Sequence, residues 1–172
     1  MRIMASAVGL ICCLSLPASG EPSERQSVVI GPWSISTTYH AEKFISCAMS
    51  RSAPDLEITF VRNQDGLLLT LDSPKWTLDR GKAYTVRLAA GAQTVEAKAL
   101  AERKGVTIAF ADGRFNERLK TANALEVKGE GATLRVPLDK SALGFERLEL
   151  CFGKNSREST ETNPFVAPSR KP

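Results

Sequence analysis

The sequence predicts a mainly β protein, a single sandwich-like antiparallel β domain with one or two short helices in the C-terminal third. Three observations predict this class. Short segments that alternate apolar and polar residues recur along the chain and are separated by turn residues. Helical spacing of apolar residues appears only after residue 111. The length of 172 residues suits one domain that can bury a sizeable core.

The first twenty residues have the layout of a secretory signal peptide. Arg2 supplies a basic start, residues 5–16 are an apolar run, and small residues follow up to Gly20. The apolar run is shorter than the ~20 residues that span a bilayer. We therefore expect cleavage near Gly20, a periplasmic or secreted mature protein, and no integral membrane segment after the signal peptide is removed.

Residues 21–27 are polar and are predicted to be a flexible lead-in to a β-rich domain at 28–153. Asp65 and Gly66 between two apolar runs indicate a tight hairpin. The strand-like segments before residue 111 are 28–30, 33–36, 44–49, 56–61, 67–71, 84–88, 94–99 and 106–110.

The pattern changes after Ala111. Asp112 is a plausible N-cap for a short helix over 113–122, because Phe115 and Leu119 are at helical spacing. Two strands at 125–127 and 134–138 follow. Asp139 is then predicted to cap a last helix that Gly153 ends, and the tail 154–172 is predicted to be disordered. An apolar island in that tail, 165–168, is interpreted as a tolerated remnant in preference to a docking motif.

The mature chain keeps two cysteines, Cys47 and Cys151, because Cys12 and Cys13 leave with the signal peptide. A lipid anchor at Cys12 or Cys13 is disfavoured, since neither follows a small residue. In an oxidising compartment the two remaining cysteines most simply form one disulfide, which would pin the last helix to a sheet. Two free thiols or a thiol enzyme are the alternatives. The only histidine, His40, has no feature besides proximity in sequence to support such a dyad.

Composition argues against several functional classes. The formal net charge of +4 comes from interleaved charges without a basic cluster, so we expect no nucleic-acid partner. One histidine excludes a His-rich metal site, and no glycine-rich phosphate loop occurs, so we expect no cofactor. The carboxylates at turns and helix starts are interpreted as Asx-turn or capping residues. They are Asp72, Asp79, Asp112 and Asp139.

The two tryptophans are the candidates for contact with a ligand or partner. Trp33 and Trp76 each lie beside a proline at a strand edge, where an indole ring could stack on a sugar. A place in the core or at its rim is the more ordinary interpretation of each ring.

Several short motifs occur together in a familiar order. They are Gly31-Pro32-Trp33-Ser34-Ile35, the cysteine-bearing strand 44–50, the segment from Trp76 to Gly81, and Val-Pro-Leu-Asp-Lys-Ser-Ala-Leu-Gly-Phe-Glu-Arg-Leu at 136–148. Over about residues 31–151 this order resembles the invasion-associated locus B family of secreted or periplasmic alphaproteobacterial proteins. The chain lacks that family's longer mid-chain segment with further cysteines. The resemblance implies a small, non-enzymatic, β-rich envelope protein, linked in some members to host-cell interaction.

The function expected from these observations is non-catalytic binding of a protein or envelope partner in the periplasm or outside the cell. The second hypothesis is a periplasmic inhibitor of a lysozyme or protease, which would insert the loop at 63–66 or at 129–131 into an active site. An enzyme that uses scattered carboxylates, and a structural or assembly accessory, are the remaining alternatives.

Overall fold

A computed structural model describes residues 23–158, with side chains described over 27–157. This part of the chain contains ten strands and two helices. One helix lies between the eighth and ninth strands, and the other follows the tenth. The strands are β1 (Ser23–Ile30), β2 (Trp33–His40), β3 (Lys43–Ala53), β4 (Leu56–Asn63), β5 (Gly66–Asp72), β6 (Ala83–Ala90), β7 (Gln93–Ala101), β8 (Gly105–Phe110), β9 (Ala124–Lys128) and β10 (Thr133–Pro137); the helices are α1 (Gly113–Thr121) and α2 (Ser141–Glu158).

All ten strands belong to one antiparallel sheet, in the order β1-β2-β3-β4-β5-β8-β7-β6-β9-β10. The predicted class, mainly antiparallel β with helices late in the chain, is confirmed. The predicted hairpin at 63–66 is present, because Asn63 pairs with Gly66 across a two-residue turn between β4 and β5.

The sheet is strongly curved. Seven steps of about 4.8 Å separate β3 from β10 in the strand order, or roughly 34 Å if the sheet were flat. Yet Asp139, two residues beyond β10, lies 2.6 Å from the Arg51 guanidinium on β3. The Asp139 carbonyl also accepts a hydrogen bond from the Trp33 indole N–H at 2.9 Å. The two ends of the sheet therefore approach each other around one shared core.

Helix α1 forms where the sequence predicts it. The Asp112 carboxylate accepts hydrogen bonds from the backbone N–H of Arg114 at 2.8 Å and of Phe115 at 2.9 Å, which confirms its capping role. Phe115 and Leu119 are buried, and the Phe115 ring stacks on Phe110 at the end of β8. The cap and the apolar face together fix α1 over one end of the sheet.

Helix α2 packs on β2, β3 and β4. Phe145 and Leu148 face the core, and the Phe145 ring meets Phe60 of β4 edge-on at 4.9 Å. The disulfide between Cys47 and Cys151 joins β3 to this helix, with the two Cα atoms 6.2 Å apart. The predicted bridge is confirmed, and with it the prediction that it pins the last helix to the sheet.

Three local predictions are corrected. Strand β1 begins at Ser23, so residues 23–27 are part of a strand paired with β2 and not a lead-in. Helix α2 runs through Gly153 to Glu158, so Gly153 does not end it and the predicted tail starts later than residue 154. Asp139 does not cap α2, because the helix begins two residues later and the Asp139 carboxylate pairs with Arg51. The predicted signal peptide and residues 159–172 lie outside the described residues.

Candidate functional site

An apolar groove of about 750 Å³ lies at the end of the sheet that neither helix covers. The inner-face residues of β5 to β10 form its floor, and the loop after β5 together with the β9–β10 turn forms its walls. The residues that line this apolar groove are Leu71, Trp76, Leu78, Lys82, Ala83, Tyr84, Thr85, Val86, Ala99, Val106, Val127, Gly129, Glu130, Gly131, Ala132, Thr133 and Leu134.

The groove follows from strand periodicity. Side chains of one strand alternate between faces, so Tyr84 and Val86 of β6 point to the same side. Val86 is buried, whereas Tyr84 at the strand end is only half-buried. Leu134 of β10 and Val106 of β8 are half-buried in the same way. The core thus continues into an open mouth, where apolar side chains remain without a covering element of the described chain.

Backbone hydrogen bonds hold the loop that carries Trp76. The N–H of Ser73 donates to the carbonyl of Lys104 at 2.8 Å, and the N–H of Leu78 donates to Arg103 at 3.1 Å. The N–H of Gly81 donates to Ala101 at 2.8 Å. The loop is therefore tied along the β7–β8 turn although it is not a strand. This keeps the half-buried Trp76 ring at the wall of the groove.

The charges of the groove lie at its rim. The ammonium of Lys82 lies 5.0 Å from the centroid of the Tyr84 ring, within the range of a cation–π contact. Lys82 and Glu130 are both exposed and are the two charged residues of the lining. A ligand would therefore meet an apolar interior with two aromatic rings, and one charge of each sign only at the entrance.

The two candidate tryptophans have different environments. Trp33 is fully buried, at 0% exposure, and packs near Phe60 and under the Arg51 guanidinium. The prediction that Trp33 contacts a ligand or partner is therefore wrong, and Trp33 is a core residue. Trp76 lines the apolar groove and remains a candidate contact. Tyr84 and Leu134 were missed, because their half-burial depends on which strand ends the helices leave open.

The cysteines and the histidine do not form a nucleophilic site. Both sulfurs are held in the disulfide, so neither is a free thiolate. Cys47 is opposite Thr37 in the β2–β3 pair, whereas His40 is opposite Lys43 at the far end of that pair. The alternatives of two free thiols and of a thiol dyad are overturned by this arrangement.

The turn carboxylates lie at separate places. Asp79 accepts the N–H of Lys82 through its backbone carbonyl at 3.1 Å, within a turn. Burial raises the pKa of Asp72, and the neighbouring carboxylates of Glu57 and Glu102 raise it further. Asp72 follows the groove residue Leu71 on β5 and points to the other face of the sheet. A perturbed carboxyl can mark a functional site, but this one is outside the apolar groove.

The Arg51 guanidinium hydrogen-bonds to the Asp139 carboxylate and holds the pKa of that carboxyl below its usual range. Desolvation opposes this lowering of the pKa, and the charge of the Arg51 guanidinium adds to it. The contact joins the chain after β10 to β3 and is structural.

The two loops of the inhibitor hypothesis are tight turns. In the 63–66 turn the side-chain oxygen of Asn63 accepts the N–H groups of Asp65 at 2.9 Å and Gly66 at 3.0 Å. The turn around 129–131 is closed by the N–H of Gly129, which donates to the Ala132 carbonyl at 3.0 Å. Nothing in either geometry favours insertion into an active site, and the inhibitor hypothesis stays a prediction.

Between residues 23 and 158 no group of three or more His, Cys, Asp or Glu side chains is arranged to hold a metal ion. Neither α1 nor α2 is long and apolar enough to cross a membrane.

Comparison of the chain with protein-family models, with curated proteins and with solved structures found no match. The resemblance to the invasion-associated locus B family therefore remains a prediction carried by the short motifs between residues 31 and 148.

Proposed function

We propose that this protein is a non-catalytic periplasmic or secreted binding protein, and that it holds an apolar part of an envelope partner in the apolar groove. The observation that carries the proposal is the open, apolar mouth of the core, with the rings of Trp76 and Tyr84 at its wall. Its volume of about 750 Å³ is within the range of ~300–1,000 Å³ that is usual for ligand sites.

The chemistry of the lining supports binding in preference to catalysis. The groove interior is formed by aliphatic and aromatic side chains, and its two charges, Lys82 and Glu130, are exposed at the rim. A buried acid or base with a positioned partner, which proton transfer needs, is not part of this lining. The apolar wall instead offers the gain of about 25 cal/mol for each Å² of apolar ligand surface that leaves water.

Two features support a periplasmic or secreted location. The first twenty residues have the layout of a signal peptide. The Cys47–Cys151 disulfide is compatible with an extracytoplasmic location, since disulfides persist mainly in oxidising compartments.

Titration with a neutral apolar fluorophore, N-phenyl-1-naphthylamine, tests the site. The emission of the fluorophore should rise on binding and should saturate at one fluorophore per protein. The variant Leu134→Glu places a charge in the groove and should weaken binding at least tenfold, which corresponds to about 1.4 kcal/mol. Leu100→Glu is the matched control, because Leu100 is 48% exposed on β7 and does not line the groove. Absence of saturable binding, or equal loss in both variants, would overturn the proposal.

A further inference from the structure

A second surface lies beside the first strand of the sheet, between β1 and α2. It is a cleft of about 350 Å³ that shares no lining residue with the apolar groove. The residues that line this β1–α2 cleft are Val28, Ile35, Thr37, Arg147, Leu150, Cys151, Lys154 and Asn155.

Helix α2 packs on β2 but leaves residues 27–29 of β1 exposed. Val28 of β1 is directly opposite Ile35 of β2, so both side chains are on the same face of the sheet. Ile35 is only 5% exposed, whereas Val28 is 55% exposed. Across the cleft Leu150 of α2 is also 55% exposed. Two large apolar side chains thus face an open space at the boundary of the fold.

The edge of β1 is open to another strand. In the described sheet β1 has β2 as its one neighbour, so half of its N–H and C=O groups face outward. Residues 27–30 contain neither a charge nor a proline, and Val29 is 72% exposed. The opposite edge strand, β10, has Arg135 and Pro137, which are residue types that discourage strand pairing. Strand β1 carries Glu24 and Arg25 and a register shift before Val28, so the part of its edge that is free of charge and proline is residues 27–30.

The cleft is positively charged. Arg147 and Lys154 are exposed and line it, and no acidic side chain does. Within the described residues neither cation has an ion-pair partner. The cleft consequently combines an open strand edge, an apolar contact and two cations available to carboxylates.

We propose that the β1–α2 cleft binds an extended segment of a partner protein that carries apolar and acidic side chains together on one face. The segment adds as a strand to the edge of β1 at 27–30. On the face of that strand turned towards α2, an apolar side chain packs between Val28 and Leu150. Carboxylates two positions before and after it lie on the same face and pair with Arg147 and Lys154.

Charge disfavours two other occupants. A second copy of this chain, paired through β1, would bring the same two cations of each copy towards one another. The chain's own residues 159–172 contain Arg170 and Lys171 but a single acidic residue, Glu161. An acidic segment of a different protein complements the cleft better than either.

A peptide titration with the intact protein tests the charge and the pattern. The probe, the Val/Glu peptide, is a fluorescein-labelled seven-residue peptide with Glu, Val and Glu at positions 2, 4 and 6 and Ser at the other positions, so that the three side chains share one face of a strand. Its counterpart has Lys in place of each Glu. Fluorescence anisotropy should show the Val/Glu peptide binding at least tenfold more tightly. The double reversal Arg147→Glu/Lys154→Glu should invert that preference, whereas Arg87→Glu/Lys98→Glu, on exposed positions of β6 and β7, should leave it unchanged.

The same titration can overturn the proposal. No saturation by about 1 mM, the concentration that marks ~4 kcal/mol of binding free energy, would contradict it. Equal binding of the two peptides would do so as well. Because the cleft and the apolar groove share no residues, loss of fluorophore binding in Leu134→Glu has no bearing on this result.

Crosslinking identifies the occupant. A photoreactive benzoylphenylalanine in place of Leu150 should attach to the Val/Glu peptide, and hydrogen exchange should show protection of the N–H groups at 27–30 but not of those in β10. Attachment to a second copy, or to residues 159–172 of the same chain while the peptide is present, would reject the partner segment as the occupant.

Discussion

Two glycines within α2 provide a matched pair of substitutions. In a helix interior alanine is favoured over glycine by about 0.5–1 kcal/mol. At Gly153 an added Cβ meets nothing within 4 Å, so Gly153→Ala should stabilise the fold by that amount. At Gly144 the added Cβ overlaps with the Met49 sulfur and lies 3.6 Å from the Met49 Cγ and 3.7 Å from the Trp33 Cγ.

The expected difference between the two variants comes from the core. Met49 and Trp33 are both fully buried, so neither can move aside without disturbing its neighbours. Overpacking of this kind costs about 1–3 kcal/mol. The gain in helix propensity is the same at both positions and cancels in the comparison. We therefore expect Gly144→Ala to be less stable than Gly153→Ala by about 1–3 kcal/mol.

Urea denaturation followed by far-ultraviolet circular dichroism measures this difference directly, and thermal melting should separate the variants by about 2–4 °C for each kcal/mol. Equal stabilisation by both substitutions would show that α2 does not pack against Met49 and Trp33. Destabilisation by Gly153→Ala would show that the helix ends at Gly153, as the sequence predicts, and does not continue through it.

Two further predictions concern the disulfide and one carboxyl. Replacing both cysteines, Cys47→Ala with Cys151→Ala, should lower the free energy of unfolding by about 4–5 kcal/mol, because the bridge closes a loop across 104 residues; an unchanged melting temperature without reductant would contradict this. Asp72→Asn should raise the melting temperature at neutral pH. The raised pKa of Asp72 means that the folded state holds its proton more tightly than the unfolded state, so stability falls as the pH rises above the ordinary value of 3.8. The gain should shrink as the pH is lowered towards that value, and a gain independent of pH would refute the electrostatic cause.

Local patterns predicted the elements that local forces decide. Alternating residues identified the strands, since each strand of a curved sheet has one face on the core. Asp112 could be recognised as a cap because its carboxylate accepts the N–H groups two and three residues further along its own chain. The disulfide could be predicted because Cys47 and Cys151 are the two cysteines that follow the predicted signal peptide.

Long-range contacts decided the features that were missed. The polar residues 23–27 form a strand because β2 is available to pair with them, which overrides a weak propensity. Helix α2 continues through Gly153 because contacts hold the residues on both sides of it. Phe152 packs on Phe44 and beneath the Arg62 guanidinium, and the Asn155 side-chain oxygen accepts a hydrogen bond from the Tyr39 hydroxyl. These contacts outweigh the ~1 kcal/mol cost of one glycine.

The groove could not be derived from the sequence for the same reason. Its lining joins β5, β8, β7, β6, β9 and β10, and that order places β8 beside β5 although two strands intervene in the chain. Trp76 was singled out as an aromatic residue near a proline. Its position at the wall depends on hydrogen bonds from its loop to residues 101–104.

Site-specific photocrosslinking in the native envelope tests the central claim most directly. Benzoylphenylalanine in place of Ala132, at the rim of the apolar groove, should capture a discrete partner whose yield falls when Leu134→Glu is added. The same group in place of Arg87, exposed on β6 outside the groove, should not capture it. Equal capture from both positions, or capture that Leu134→Glu leaves unchanged, would contradict the account of this protein as a binder that uses the apolar groove.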